Sequence, residues 1–367
     1  MIRLNHHTDP QSSDHAIEQY KRAYLETWKT SSLEARYQVL YELAGASYDD
    51  LFVFTSCGAE GINQVHWSVY QERAKKEGRC HFVSISVEGA PILQSLQRLE
   101  MFGCYAKIAP VDKEGKADLN ALKELIGPRT ALVSLSIAES LTGVFQPIAE
   151  IAEMAHKMGA WLHLDASSSI GKLYAPFQHA DYLTFSGASI HSVKGSGALF
   201  VKKGKPLHPF IVGGREQLGF RGAEFDLPSF LSLSAAAGQA LLSIDSAGLE
   251  LARLRDQFEG LLSDVGFPLL NESLRLPNVT TMAFPKAHQE AMLYLLHRKG
   301  VGASLGNGHF PPLQHVLKEA QTKSEIAETA LSFALSRYTT EAEIEQAALK
   351  IKETVHLLHE LSLGVFA

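Results

Sequence analysis

A chain of 367 residues, 46% of them hydrophobic, can bury a large core and has room for two domains. Its formal net charge of −6, with no long basic run, excludes nucleic acid as an expected partner, because that would need a clustered positive surface. The first residues carry no apolar signal core and no stretch approaches the length of a membrane span, so a cytoplasmic protein without membrane association is expected.

In chain order, short apolar runs at 51–55, 81–86, 105–110, 131–137, 161–165, 182–186 and 197–201 read as strands. Amphipathic stretches at 90–102, 118–125 and 148–158 lie between several of them. That alternation predicts an α/β fold, with a mostly parallel central sheet covered by helices on both faces. Ligands in such folds collect at the carboxyl ends of the strands, which selects the loops after Thr55, Ile137, Asp165 and Ser186. The last third changes character. A helical run from Ala235 continues through 245–265, followed by strand-like 278–284, a helix near 289–299, strand-like 330–335 and a closing helix at 340–361. The expected division is a large domain at 14–244 and a smaller α+β domain made of 1–13 and 245–367.

Cys57, Cys80 and Cys104 form no C-x-x-C pair, which fits a reducing compartment. The sixteen histidines show no H-E-x-x-H and no Cys/His spacing, so no metal is expected. His6-His7 reads as a start-of-chain turn near the domain junction.

The segment from Thr184 to Leu199, T-F-S-G-A-S-I-H-S-V-K-G-S-G-A-L, closely resembles the cofactor-lysine segment of cysteine desulfurases, members of the class-V aminotransferase family, roughly S-F-S-x-H-K-x-x-G-P-K-G-x-G-A-L. The likeness runs nearly the whole chain, through Val87-Glu88, Pro110-Val111-Asp112, Gln146-Pro147-Ile148, Leu164-Asp165-Ala166, Gly171-Lys172, Leu276-Pro277-Asn278 and Ser336-Arg337-Tyr338 in the family's order. The resemblance implies the fold of fold-type I pyridoxal phosphate (PLP) enzymes, a homodimer with sites between subunits, and PLP as the cofactor.

Set against that pattern, the chemistry-bearing positions differ. The histidine and Schiff-base lysine fall on Ala188 and Ser189, and the persulfide-carrying cysteine on His309. Asp165 matches the aspartate that pairs with the pyridine nitrogen; the plainer alternative is a polar residue at a strand end. The stacking histidine falls on Gly89, the glutamine three residues past the aspartate on Ser168, and the asparagine stretch on residues 139–143. In the phosphate cup Ser186 is kept, a threonine falls on Ala59, and Glu224 stands where the neighbouring subunit's threonine would be; pointing as that threonine does, its charge opposes a phosphate, and the alternative is that it turns outward. Arg337 matches the arginine that clamps an amino-acid carboxylate, with an inter-domain ion pair as the alternative.

Two readings stay open. In the first, the protein has lost PLP-dependent catalysis and serves as a binding or regulatory homologue whose old active site takes a small polar ligand. PLP is then not covalently bound, and whether it binds at all is open. In the second, displaced groups support an active cysteine desulfurase or lyase. Lys194, Lys172 and His191 are the replacements available in sequence, the two lysines being shared with active relatives; Cys57 is the thiol nearest the site.

Overall fold

The computed structural model describes residues 1–25 and 33–364; residues 26–32 and 365–367, which fall within the two expected domains, lie outside the described residues. The strands are β1 (Ile2–Arg3), β2 (Leu51–Thr55), β3 (His81–Ile85), β4 (Tyr105–Ala109), β5 (Thr130–Ser136), β6 (Trp161–Asp165), β7 (Tyr182–Ser186), β8 (Gly197–Val201), β9 (Phe267–Leu269), β10 (Val279–Ala283), β11 (Val301–Gly302) and β12 (Ala330–Ala334). The main sheet runs β2-β8-β7-β6-β5-β3-β4. β8 is antiparallel to both neighbours and the other pairings are parallel. A mostly parallel sheet with helices on both faces is therefore the observed architecture.

The strands are apolar because both faces are covered. In β8, Ala198 and Phe200 enter one hydrophobic cluster while Leu199 and Val201 enter another, as the two-residue side-chain period requires. Each fully buried side chain of Phe200's size contributes roughly 1.5–3 kcal/mol.

A second cluster of elements follows. β12, β10 and β9 form an antiparallel sheet, and β1 pairs in parallel with β11. The chain start is tied in by Ala334 N donating to Leu4 O (2.7 Å), so Ile2 and Leu4 pack with Phe258, Met292, Phe333 and Ile351.

The helix Leu227–Leu261 joins the two cores. Its Phe230, Leu231, Leu233 and Ala240 pack against the main sheet, and its Leu251, Leu254 and Phe258 against the smaller sheet. It begins well before the Ala235 expected from sequence. Asp226 accepts from Ser229 N (3.1 Å) as the N-cap, and Pro228 sits in the first turn where its missing N–H is harmless. By length and composition alone this helix could cross a membrane, contrary to the expectation that no stretch approaches that length; most of that window is buried inside the protein.

Because β2, β3, β5, β6 and β7 run the same way, their carboxyl ends share one edge of the sheet. The loops leaving that edge carry Cys57, Glu88, Glu139, Asp165 and Ser189.

Candidate functional site

Those loops line a cavity of about 490 Å³, which His6, His7, His309 and Arg337 also line. Every site residue singled out from sequence lines it except Glu224, which is exposed on the segment before the long helix.

Asp165 ends β6. Its Oδ1 accepts from Ser167 N (3.1 Å) and from Ser167 Oγ (2.7 Å), while Ser167 Oγ in turn accepts from Ser186 N (3.0 Å). Burial raises its pKa, and the bonds from Ser167 and Thr184 work the other way. Behind it runs a chain of buried side chains. Thr184 Oγ1 meets His163 Nε2 (2.9 Å), His163 Nδ1 meets Ser134 Oγ (2.8 Å), Ser134 Oγ meets His66 Nε2 (2.9 Å), and His66 Nδ1 meets Ser95 Oγ (2.9 Å). Desolvation lowers both imidazoles, His66 to about 3, so both are neutral.

Two further carboxyls share the wall. Glu88 accepts from Ser136 N and Ser136 Oγ (both 2.7 Å), and burial pushes it up to about 7, with Asp165 and Glu139 adding repulsion. Glu139 accepts from Leu141 N (3.0 Å), Thr142 N and Thr142 Oγ (both 2.7 Å), and it too is raised by burial.

Ala188 and Ser189 lie on the single turn Gly187–Ile190 that follows β7. Ser168 turns its hydroxyl to Ala138 O (2.8 Å). Ala59 lies in the first turn of the helix Gly58–Val69, where Glu60 folds back to accept from Ser56 N (2.8 Å) and pairs with Arg221 Nε (2.7 Å). Cys57 caps that helix through its backbone, and its Sγ lies 3.8 Å from Ser56 Oγ.

Gly89 and His309 meet directly. Ala90 N donates to His309 O (2.9 Å), and a Cβ built on Gly89 would stand 2.8 Å from that oxygen. The loop around His309 is held at further points. Leu313 N donates to Leu305 O (2.8 Å), Phe310 N to Asn307 O (3.2 Å) and Gly306 N to Ser304 Oγ (3.1 Å), and the His309 ring packs on Phe310 at 4.0 Å between centroids. A side chain at 89 and this loop position exclude each other.

Arg337 donates through Nη2 to Ile190 O (2.8 Å), while its buried Nε has no hydrogen-bond partner among the described residues. Lys172 donates to Ser168 O (3.0 Å), and desolvation and the nearby guanidinium lower it to about 8. Lys194 sits at the rim, 72% exposed, 3.4 Å from Asp9 Oδ1. His6 and His7 belong to a turn closed by Thr8 N donating to Asn5 O (3.0 Å), and both line the cavity as neutral imidazoles, lowered by burial to about 4 and about 3. Sequence reasoning offered Lys172 as a replacement amine and His6-His7 as a turn, but placed neither in the lining of one cavity with Arg337. Their signal is tertiary, since Lys172 and Arg337 are far apart in the chain.

The donor set tests the implied cofactor. A helix N-terminus, Ser186 and Asp165 remain for a phosphate and a pyridine nitrogen. No lysine stands on the turn after β7, and the His309 carbonyl lies 2.8 Å from where a Cβ on Gly89 would be. The residues present do not fit a lysine-anchored, histidine-stacked PLP.

Residues 21–347 match the model of the family described as Aminotransferase class-V. A cysteine desulfurase of Cereibacter sphaeroides is 35% identical over 341 residues, covering 90% of this chain and 86% of the relative. One from Gluconacetobacter diazotrophicus is 33% identical over 333 residues, covering 88% and 82%. The solved structure of a NifS-like protein superposes with a TM-score of 0.87 at 24% identity, covering 97% of this chain and 99% of that one. A NifS-like protein from Rickettsia africae ESF-5 gives 0.84 at 22%, covering 96% and 99%. The two structures share the fold.

Proposed function

The chain belongs to the class-V aminotransferase family, and from that premise we propose that it is a cysteine-desulfurase-like member that has lost covalent PLP catalysis and uses the cavity to bind a small anionic or zwitterionic ligand. The single observation that carries this reading is the contact between Gly89 and the His309 carbonyl. It puts backbone where the family's stacking ring would begin, and it pins the loop that in a desulfurase must move with its thiolate. Ser189 at the lysine position and His309 at the cysteine position agree with it, since neither a hydroxyl nor an imidazole can form the imine or carry the persulfide.

What the cavity offers a ligand is a set of positioned groups. Arg337 holds an unpaired Nε and can grip a carboxylate. Glu88, pushed up to about 7 by burial, presents a carboxyl that can donate as well as accept hydrogen bonds, beside Glu139 and Asp165, whose pKa values burial also raises. The neutral His66–His163 chain holds the Thr184 hydroxyl toward Asp165 and fixes that carboxyl's orientation.

In this reading residues 14–244 form the large domain, and 1–13 with 245–367 the small one. The protein works as a cytoplasmic homodimer, with the exposed segment that carries Val212, Leu218 and Glu224 as the face toward the second copy. Alanine formation and, with dithiothreitol as reductant, sulfide release from L-cysteine with PLP supplied test the loss of activity. Neither product above PLP alone is expected; protein-dependent, saturable formation of either would overturn the reading in favour of an active desulfurase with displaced groups.

A further inference from the structure

Lys172 and Arg337 bring two cationic groups into one cavity, and no carboxylate meets either of them among the described residues. Lys172 Nζ has a single protein acceptor, the Ser168 carbonyl at 3.0 Å, and Arg337 has one, the Ile190 carbonyl at 2.8 Å, with its Nε buried and unmatched. The cavity's carboxyls are satisfied by Ser136, Thr142 and Ser167, not by these cations. Enclosing like charges without a counter-ion is costly, so the arrangement is electrostatically incomplete until an anion enters.

The position of Lys172 is set by its backbone. Gly171 has φ +71°, a left-handed conformation, and a Cβ there would stand 2.8 Å from Ile190 Cγ2 and 3.0 Å from Ala240 Cβ. The turn therefore packs tightly between the Ser189 turn and the long helix, and Lys172 is directed into the cavity wall. Lys194, the other lining lysine, is mostly in solvent and pairs with Asp9.

We propose that Lys172 is the covalent amine of this cavity and that its ligand is a small 2-oxo acid, bound by its carboxylate to Arg337 and by its keto carbon to Lys172 Nζ. This rests on the reading that no amine at position 189 competes for a carbonyl. The step is a condensation without redox change. The Nζ lone pair attacks the keto carbon, a C–N bond forms and the C–O bond breaks. The ammonium and the ketone yield a protonated imine and one water, with the positive charge conserved. A desolvated amine lowered to about 8 supplies more of the free base that attack needs than an ordinary lysine would.

The probes are pyruvate, acetone and PLP, each incubated with the full-length protein and cyanoborohydride, followed by intact mass and peptide mapping. Pyruvate is expected to give one adduct, on Lys172, that saturates. Acetone, lacking the carboxylate, should label Lys172 about tenfold or more slowly, the loss expected for one charge-assisted pair. Lys172→Arg, which keeps the charge, should abolish the adduct while thermal melting stays near wild type, and Arg337→Gln should slow it. Pyruvate labelling spread over exposed lysines, or unchanged in Lys172→Arg, overturns the proposal; so does the absence of any adduct on wild-type Lys172, whether or not the variant folds. Saturable PLP labelling of Lys172 would overturn the loss of covalent PLP chemistry while leaving the reactive amine standing.

Discussion

The His309 carbonyl lies 2.8 Å from the point where a Cβ on Gly89 would sit and accepts a hydrogen bond from Ala90 N at 2.9 Å. Gly89→His, the change that would reinstate a stacking ring, therefore collides with backbone. It should lower stability by about 1–3 kcal/mol, the usual cost of overpacking, and it should not create PLP binding. Thermal melting with and without PLP checks both; a variant as stable as wild type would show that the loop yields freely.

The pH dependence of stability has two opposed parts. His7, His66 and His191 are neutral in the fold, their pKa values lowered by burial to about 3, whereas unfolded imidazoles titrate near 6.5. Between those values the unfolded chain binds more protons, so their contribution is present above about 6.5 and is lost as pH falls. Glu88 is the reverse. Raised to about 7 from 4.5, it stabilises the fold fully below 4.5 and loses that contribution as pH rises through 7. With His6 and His163 also lowered, these five imidazoles oppose the three raised carboxyls Glu88, Glu139 and Asp165, so urea midpoints should fall from pH 7 to pH 4. Glu88→Gln should steepen that fall by removing one of the opposing contributions. A midpoint that is flat across this range would contradict the buried neutral histidines.

Asp226 caps the helix that joins the two cores by accepting from Ser229 N at 3.1 Å. Asp226→Ala should cost about 1 kcal/mol, and Asp226→Asn, itself a good cap, much less. Equilibrium unfolding of the pair tests this; equal losses would mean that charge, not capping, is at work.

Arg275 and Glu259 form an ion pair at 2.8 Å with side chains only 8% and 13% exposed. Removing one partner leaves the other charge stranded, so Glu259→Gln should destabilise by roughly 3–5 kcal/mol. Replacing both with apolar residues of similar volume should cost far less. A double variant no better than the single one would contradict this.

Much of the large sheet is legible in sequence because its strands are covered on both faces. The runs at 161–165, 182–186 and 197–201 are mostly apolar, and their bounds coincide with β6, β7 and β8. β1 and β11 are two residues each and leave no periodicity to read. The long helix shows its start only in Asp226 and Pro228, signals that an apolar count starting at Ala235 passes over. In the site, Asp165 stands out as a carboxylate at the end of an apolar strand. Lys172 does not, because what distinguishes it is the lack of a counter-ion and the nearness of Arg337, which only the folded chain creates. The closeness of Gly89 to His309 is tertiary in the same way.

The most direct test of the loss of covalent PLP chemistry is the visible absorption spectrum of the purified protein with added PLP, followed by borohydride reduction and intact mass. Ser189 at the turn after β7 and the His309 carbonyl against Gly89 predict no aldimine band and no reduced PLP adduct. A saturable band with a PLP adduct mapped to one lysine would contradict that claim and return the protein to the active desulfurases it resembles.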